Sequence, residues 1–302
     1  MVPRFELASP PLLSRSPLDR AEELRKNTDA LRSGWPTAKV LQVDHRGRLR
    51  VEGDSLVYVD ATDLGSEPAL DAVFLGIDDG RHLWAQRVGA LTGELGDLRT
   101  IGERLDATQL SILTSALAIL NWHASASFSA LDGAATTPSA AGWSRVSTSN
   151  GHEEFPRTDP AVICLVHDGA DKVLLARAPA WPERRFSVLA GFVEAGESLE
   201  TCVLREIREE VGITVSDITY LGSQPWPFPR SVMIGFSAVA DPEVPLNFVD
   251  GEIAEAHWFD RSEVRAALEV GDWAADSDSR LLLPGSISIA RGMLEAWAGS
   301  AG

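Results

Sequence analysis

Cysteine is nearly absent: Cys164 and Cys202 are the only two in 302 residues. One disulfide is arithmetically possible, a disulfide framework is excluded, and reduced thiols in a cytosolic protein are the plainer reading. Basic residues are scarce as well, 27 Lys and Arg against 44 Asp and Glu, for a formal net charge of −17. That balance excludes the broad basic face that binds nucleic acid irrespective of sequence, but it leaves room for a local pocket that takes one anionic ligand. Long apolar runs are missing too. No stretch of about 18 apolar residues offers a membrane span. The opening stretch, MVPRFELASPPLLSRSPLDRAEELRKN, has no continuous apolar segment of the kind a signal peptide needs, so a cytoplasmic protein without membrane partners is expected. What is present is the balance of a globular chain, 44% apolar and 24% charged, with length for about two domains.

Residues 1–35 are rich in Pro and Ser, then in charge, and read as a loosely packed arm entering a short helix. From about 36 to 105 strands are expected in RLRVEG, SLVYVDA, DAVFLGID and DDGRHLWAQRV. A helix follows, with Asp106 and Gln109 resembling a capping box and Leu110, Leu113, Leu117 and Leu120 at helical spacing. Residues 1–122 thus read as a mixed α/β domain in which nothing points to chemistry. Residues 123–156 are rich in Ala, Ser, Thr and Gly and read as a linker. Within them SALDG (129–133) and STSNG (147–151) repeat one spacing, polar-x-x-polar-Gly. A zinc ribbon places Cys-x-x-Cys-Gly twice at such separations, and the ligand positions here would be Ser129, Asp132, Ser147 and Asn150. With no thiolate left, no zinc is expected, although the turns can persist without it. Residues 157–302 form a further domain that opens on a hairpin, AVICLVHD and DKVLLARA, with its turn at 167–171.

The strongest pattern lies in RFSVLAGFVEAGESLETCVLREIREEVGITV. On a helix from about Ser198 to Val211, Glu206, Glu209 and Glu210 stand at i, i+3 and i+4, about 5–6 Å apart on one face. Like charges that close raise one another's pKa, and a hard divalent cation such as Mg²⁺ or Mn²⁺ removes the conflict. Leu199, Val203 and Ile207 form an adjoining apolar stripe, and Gly212 is placed to end the helix. A lone acidic face is more often simply solvated. Here, however, Gly191, Glu197, Arg205, Glu206, Glu209, Glu210 and Gly212, with aliphatic Ile207 and Ile213, match G-x5-E-x7-R-E-U-x-E-E-x-G-U at every fixed position. The chain therefore resembles the Nudix hydrolases, a family that hydrolyses nucleoside diphosphates linked to another moiety with the help of Mg²⁺.

Downstream lies SQPWPFPRS (223–231), in which Pro225, Pro227 and Pro229 alternate with Trp226 and Phe228. Such a run can neither continue a helix nor donate to a sheet. It is similar to the S-Q-P-W-P-F-P-x-S signature of the NADH pyrophosphatase branch of the family, with Arg230 in the variable position. That branch also carries a zinc-ribbon-like segment, an E-[IL]-x-E-A-x-W motif, here Glu252 to Trp258, and an S-I-A-R helix start, here Ser288 to Arg291. The resemblance implies an α+β protein: an N-terminal mixed α/β domain (1–122), a cysteine-less, degenerate ribbon (123–156) and a C-terminal Nudix α/β/α sandwich (157–302). It implies hydrolysis of the pyrophosphate of NADH or NAD⁺ to NMN(H) and AMP, with NAD-capped RNA 5′ ends offering the same bond, and a homodimer. Alternatives are a hydrolase of ADP-ribose or another nucleoside diphosphate derivative, and a silent NAD-binding sensor.

By the same resemblance Glu206, Glu209, Glu210, Glu252 and the carbonyl of Ala190 hold the metal, with Glu206, Glu209 and Glu210 catalytic. Gln224, Pro225, Trp226, Pro227, Phe228, Pro229, Arg230, Ser231 and Ala290 fall to substrate binding. Phe155, Ile163 and Phe192 are stacking walls or core residues in equal measure, and Trp226 and Phe228 serve a pocket, a core, or both. Arg205 and Glu197 are expected to brace the loop as an ion pair rather than touch substrate.

Overall fold

A computed structural model describes residues 5–248 and 251–300; residues 1–4, 249–250 and 301–302, within the expected 1–122 and 157–302 segments, lie outside the described residues. The chain divides into two units, one of residues 15–158 with 225–231, the other of 1–14, 159–224 and 232–302. The ribbon segment thus belongs with the N-terminal fold, and so does the proline-rich loop.

In the first unit a short helix, α1 (Thr28–Gly34), precedes β1 (Lys39–Asp44), β2 (Leu49–Glu52), β3 (Ser55–Leu56), β4 (Val59–Asp60), α2 (Ala61–Leu64), β5 (Val73–Asp78), β6 (Arg81–Val88), β7 (Leu95–Gly96), α3 (Leu98–Ile101) and α4 (Ala107–Ser125). The sheet order is β3-β2-β1-β6-β5, with β4 on β1 and β7 on β2. Its middle pair, β1 and β6, is parallel. Strand β1, KVLQVD, is absent from the sequence expectation, and SLVYVDA makes two two-residue strands rather than one. Trp35, Val40, Phe74 and Trp84 fill the core, the two indoles edge to face at 5.5 Å. The Asp106 carboxylate caps α4 by accepting from the Gln109 N–H. Leu110, Leu113, Leu117 and Leu120 are all buried.

The ribbon segment is folded into a three-stranded sheet of β8 (Thr136–Ser139), β9 (Ser144–Ser147) and β10 (Glu153–Glu154). It is no free linker: the Trp143 indole N–H donates to the Phe74 carbonyl of the main sheet at 2.6 Å. Its two repeats form matching turns, Gly133 N–H to Ser129 O and Gly151 N–H to Ser147 O, with both glycines at positive φ. The Asp132 carboxylate stands at the centre, accepting from Ser147 Oγ at 3.2 Å, from Asn150 Nδ2 at 2.8 Å and from Ser149 Oγ. Hydrogen bonds to one carboxylate thus join the two turns that a metal would otherwise join. The Ser149 hydroxyl foremost, then the Ala134 N–H, holds the Asp132 carboxyl below its ordinary 3.8. A lowered carboxyl pKa stabilises the fold above 3.8, and that contribution is lost as pH falls through the folded value. Asp132→Ala should therefore lower the thermal midpoint at neutral pH, with the deficit shrinking in acid. Elemental analysis should find no zinc; one tightly held zinc per chain contradicts this.

The second unit is built on β11 (Asp159–His167), β12 (Lys172–Arg177), β13 (Leu189–Phe192), α5 (Leu199–Val211), β14 (Ser216–Trp226), β15 (Ser231–Val239), β16 (Glu255–Asp260), α6 (Arg261–Val270) and α7 (Ile289–Gly299). Its sheet runs β14-β15-β11-β12-β16, with β13 on β11. One core cluster contains Leu165, Val173, Phe259, Met293 and Trp297, and another contains Cys202, Val203, Ile207 and Val211 of α5. The N-terminal arm is not loose where it is described: Phe5 is buried in the first cluster and stacks edge-on to His167. Its few apolar residues show no period, so only tertiary packing reveals their place.

Candidate active site

Helix α5 begins where the Ser198 side chain accepts from the Thr201 N–H, and it ends at Gly212, whose φ of 76° supplies the left-handed cap. Its apolar face docks on the sheet, which turns the acidic face outward. One residue organises that face. The Arg205 guanidinium donates to both oxygens of Glu197 at 2.6 and 3.1 Å, to Glu206 Oε1 at 2.9 Å, to Glu209 Oε2 at 2.9 Å and to the Phe192 carbonyl at 2.9 Å. Glu197 Oε1 also accepts from the Glu194 N–H at 2.8 Å, which closes the loop between β13 and α5. These charge-assisted bonds, Arg205 foremost, hold the Glu197 carboxyl down at about 2. Arg205 in turn is held firmly in its charged form.

Glu206 stands against the strand that bears Ala190. A Cβ added to Gly191 would fall 1.9 Å from the Glu206 carboxyl carbon, so only glycine leaves room for the carboxylate there. Burial pushes the Glu206 carboxyl above its ordinary value, Arg205 opposes the rise, and the negative charges of Glu209 and Glu252 add to it. Glu210 is 5% exposed, whereas Glu209 and Glu252 are open to solvent. Among the described residues no three acidic, imidazole or thiol groups stand already grouped as a metal site. The chemistry of the donors nevertheless suits a hard divalent cation: oxygen only, mutually repelling, with the Glu206 carboxylate seated in a cradle that a side chain would fill.

The remaining expected residues separate. Ile163 pairs with Ala190 across β11 and β13, but its side chain, 6% exposed, is core. Ala290, 1% exposed, is core as well, in the first turn of α7. Phe192, beside Gly191, is 58% exposed, and Phe155, in the other unit, is 61% exposed. Gln224 is buried and donates to the Ile287 carbonyl at 2.9 Å, and among the described residues its Oε1 has no partner. Ser231 is buried at the start of β15. Pro225 is half-buried, Pro227 buried and Pro229 exposed, with a cis bond between Phe228 and Pro229. The Trp226 and Phe228 rings meet edge to face at 4.8 Å, both half-buried, and Arg230 donates to Ser125 Oγ at 3.0 Å. The triple pairing of Arg205 is the feature that the sequence reading under-described.

Two protein-family models match the chain. A NUDIX domain model matches residues 157–279, and a model of the NADH pyrophosphatase-like rudimentary NUDIX domain matches residues 24–122. Over 302 aligned residues, 97% of this chain and 96% of the other, the chain is 58% identical to the NAD-capped RNA hydrolase NudC of Mycobacterium bovis (strain BCG / Pasteur 1173P2). It is 39% identical over 214 residues, 68% of this chain and 60% of the other, to the mitochondrial NAD(P)H pyrophosphatase NUDT13 of Mus musculus. The corresponding Homo sapiens protein is 36% identical over the same length. Nudix hydrolases use divalent metal ions, and the carboxylate face of α5 carries their motif without a gap. With relatives aligned over nearly its whole length and both domain models matched, the chain belongs to the Nudix hydrolases, in their NADH pyrophosphatase branch.

Proposed function

We propose that the chain hydrolyses the pyrophosphate of NADH and NAD⁺ to NMN(H) and AMP, and that it removes the NAD cap from RNA 5′ ends by breaking the same bond. The observation that carries this is the near full-length relation to an NAD-capped RNA hydrolase, with every fixed position of both motifs intact. Glu206, Glu209, Glu210, Glu252 and the Ala190 carbonyl would hold Mg²⁺ or Mn²⁺. When bound, the cation offsets the charge of the pyrophosphate and acidifies the attacking water.

The chain's own groups do the rest. A water attacks one phosphorus of the anhydride, the bridging P–O bond breaks, and each product leaves with one phosphate. A carboxylate of the Glu206, Glu209 and Glu210 face takes the water's proton. Arg205 touches none of the reacting atoms in this account; it holds the face rigid and offsets part of its charge. Trp226 and Phe228 offer ring surface to the bases, where stacking contributes about 1–3 kcal/mol per base, and the prolines reduce the entropy lost on ordering the loop around a ligand. The intact acidic face favours an enzyme over a silent sensor, which has no need of it.

If the loop reads the nicotinamide end, NADH should exceed ADP-ribose in kcat/KM, since ADP-ribose has the same anhydride and adenosine but no nicotinamide ring. A ratio near one would remove the loop from recognition.

A further inference from the structure

We propose that Asn121, on α4 of the N-terminal unit, is a positioning residue for the substrate-recognition loop, with Arg87 and Arg99 as its supports. The proposal rests on the reading that the 225–231 loop recognises the dinucleotide. Three of the seven loop residues are prolines and have no N–H to give. Within the loop the Phe228 N–H turns back to the Trp226 carbonyl at 2.7 Å. The Pro227 and Pro229 carbonyls need donors from elsewhere. Asn121 supplies both: its amide nitrogen donates to Pro227 O at 3.1 Å and to Pro229 O at 2.8 Å, which uses its two N–H groups.

The orientation of that amide is itself fixed. Asn121 Oδ1 accepts from Arg87 Nη2 at 2.8 Å, and Arg87 Nη1 donates to the Asp44 carbonyl at 2.6 Å, at the end of β1. One turn further along α4, Ser125 Oγ accepts from Arg230. From α3, the Arg99 guanidinium lies 3.7 Å from the centre of the Phe228 ring and 5.1 Å from that of Trp226. The loop is thus held by its backbone, by its aromatic rings and by the Arg230 side chain. It is not closed off: Arg99, Asn121 and Pro227 to Pro229 line a cleft of about 280 Å³. A loop that only filled a core would need burial of its rings, not donors matched one to one with its carbonyls. The rudimentary domain, which shows no chemistry of its own, acts on the reaction by setting the shape of the loop.

The test is kinetic. Asn121→Asp keeps the size of the side chain and removes both donors. Its KM for NADH should rise about tenfold, the loss expected for one to two hydrogen bonds, with kcat within about twofold and kcat/KM for ADP-ribose much less affected. Arg99→Gln, at an exposed side chain, should shift KM the same way by about threefold, the size of a weak cation–π contact, and it serves if Asn121→Asp fails to fold. A wild-type enzyme that prefers NADH, with variants that keep its NADH to ADP-ribose ratio, overturns the positioning role alone. A wild-type enzyme with no preference overturns the reading of the loop, and the positioning role falls with it.

Discussion

Glu210→Gln should cost about 10²-fold or more in kcat for NADH while leaving the thermal midpoint nearly unchanged, as losses of catalytic acid–base or charge-stabilising groups do. Glutamine has the shape of glutamate and a similar helix propensity, so α5 keeps its geometry. The change lies in charge. Glu210 is buried at 5% exposure on the face where Glu206 already feels Glu209 and Glu252. A neutral amide there would remove a charged ligand from the proposed cation site. The loss should persist at saturating Mg²⁺ if Glu210 acts in the transition state rather than in metal affinity alone. Turnover near that of the wild type, at any metal concentration, would remove Glu210 from the site.

Gly191→Ala should lose about as much activity for a different reason. Gly191 pairs with Val162 in the sheet and is not among the glycines at positive φ, so its backbone accepts alanine. The new methyl group would meet the carboxylate of Glu206 at 1.9–2.2 Å. A carboxylate is the flexible end of its side chain and can move, so stability should change little. Glu206 cannot move and stay where it is needed, and a displacement of about 1 Å at a reacting centre costs about 10²-fold. Measured kcat and thermal midpoint separate the two effects. Full activity in the variant would show that the carboxylate need not lie over Gly191.

The acidic helix was open to reading because its information is local. Charges at i, i+3 and i+4, a serine before the first turn and a glycine after the last one define α5 without any knowledge of the rest of the chain. What was hidden depends on distant partners. KVLQVD becomes a central strand only by pairing in parallel with β6, some forty residues on. Asp132 becomes the hub of the ribbon only when Ser147, Ser149 and Asn150 arrive from the second turn. Ile163 and Ala290, read as possible contacts for substrate, present their side chains to the core, and their burial has no signature in a single sequence. The proline loop shows its stiffness in its composition, but Asn121 and Arg99, which hold it, lie more than a hundred residues earlier.

The central claim is that one particular bond breaks. NADH incubated with the wild-type chain and Mg²⁺, followed by mass spectrometry of the products, tests it most directly. The account predicts NMNH and AMP in equal amounts, with the glycosidic bond to nicotinamide intact. Release of free dihydronicotinamide with ADP-ribose, or intact NADH after prolonged incubation with metal present, would contradict it.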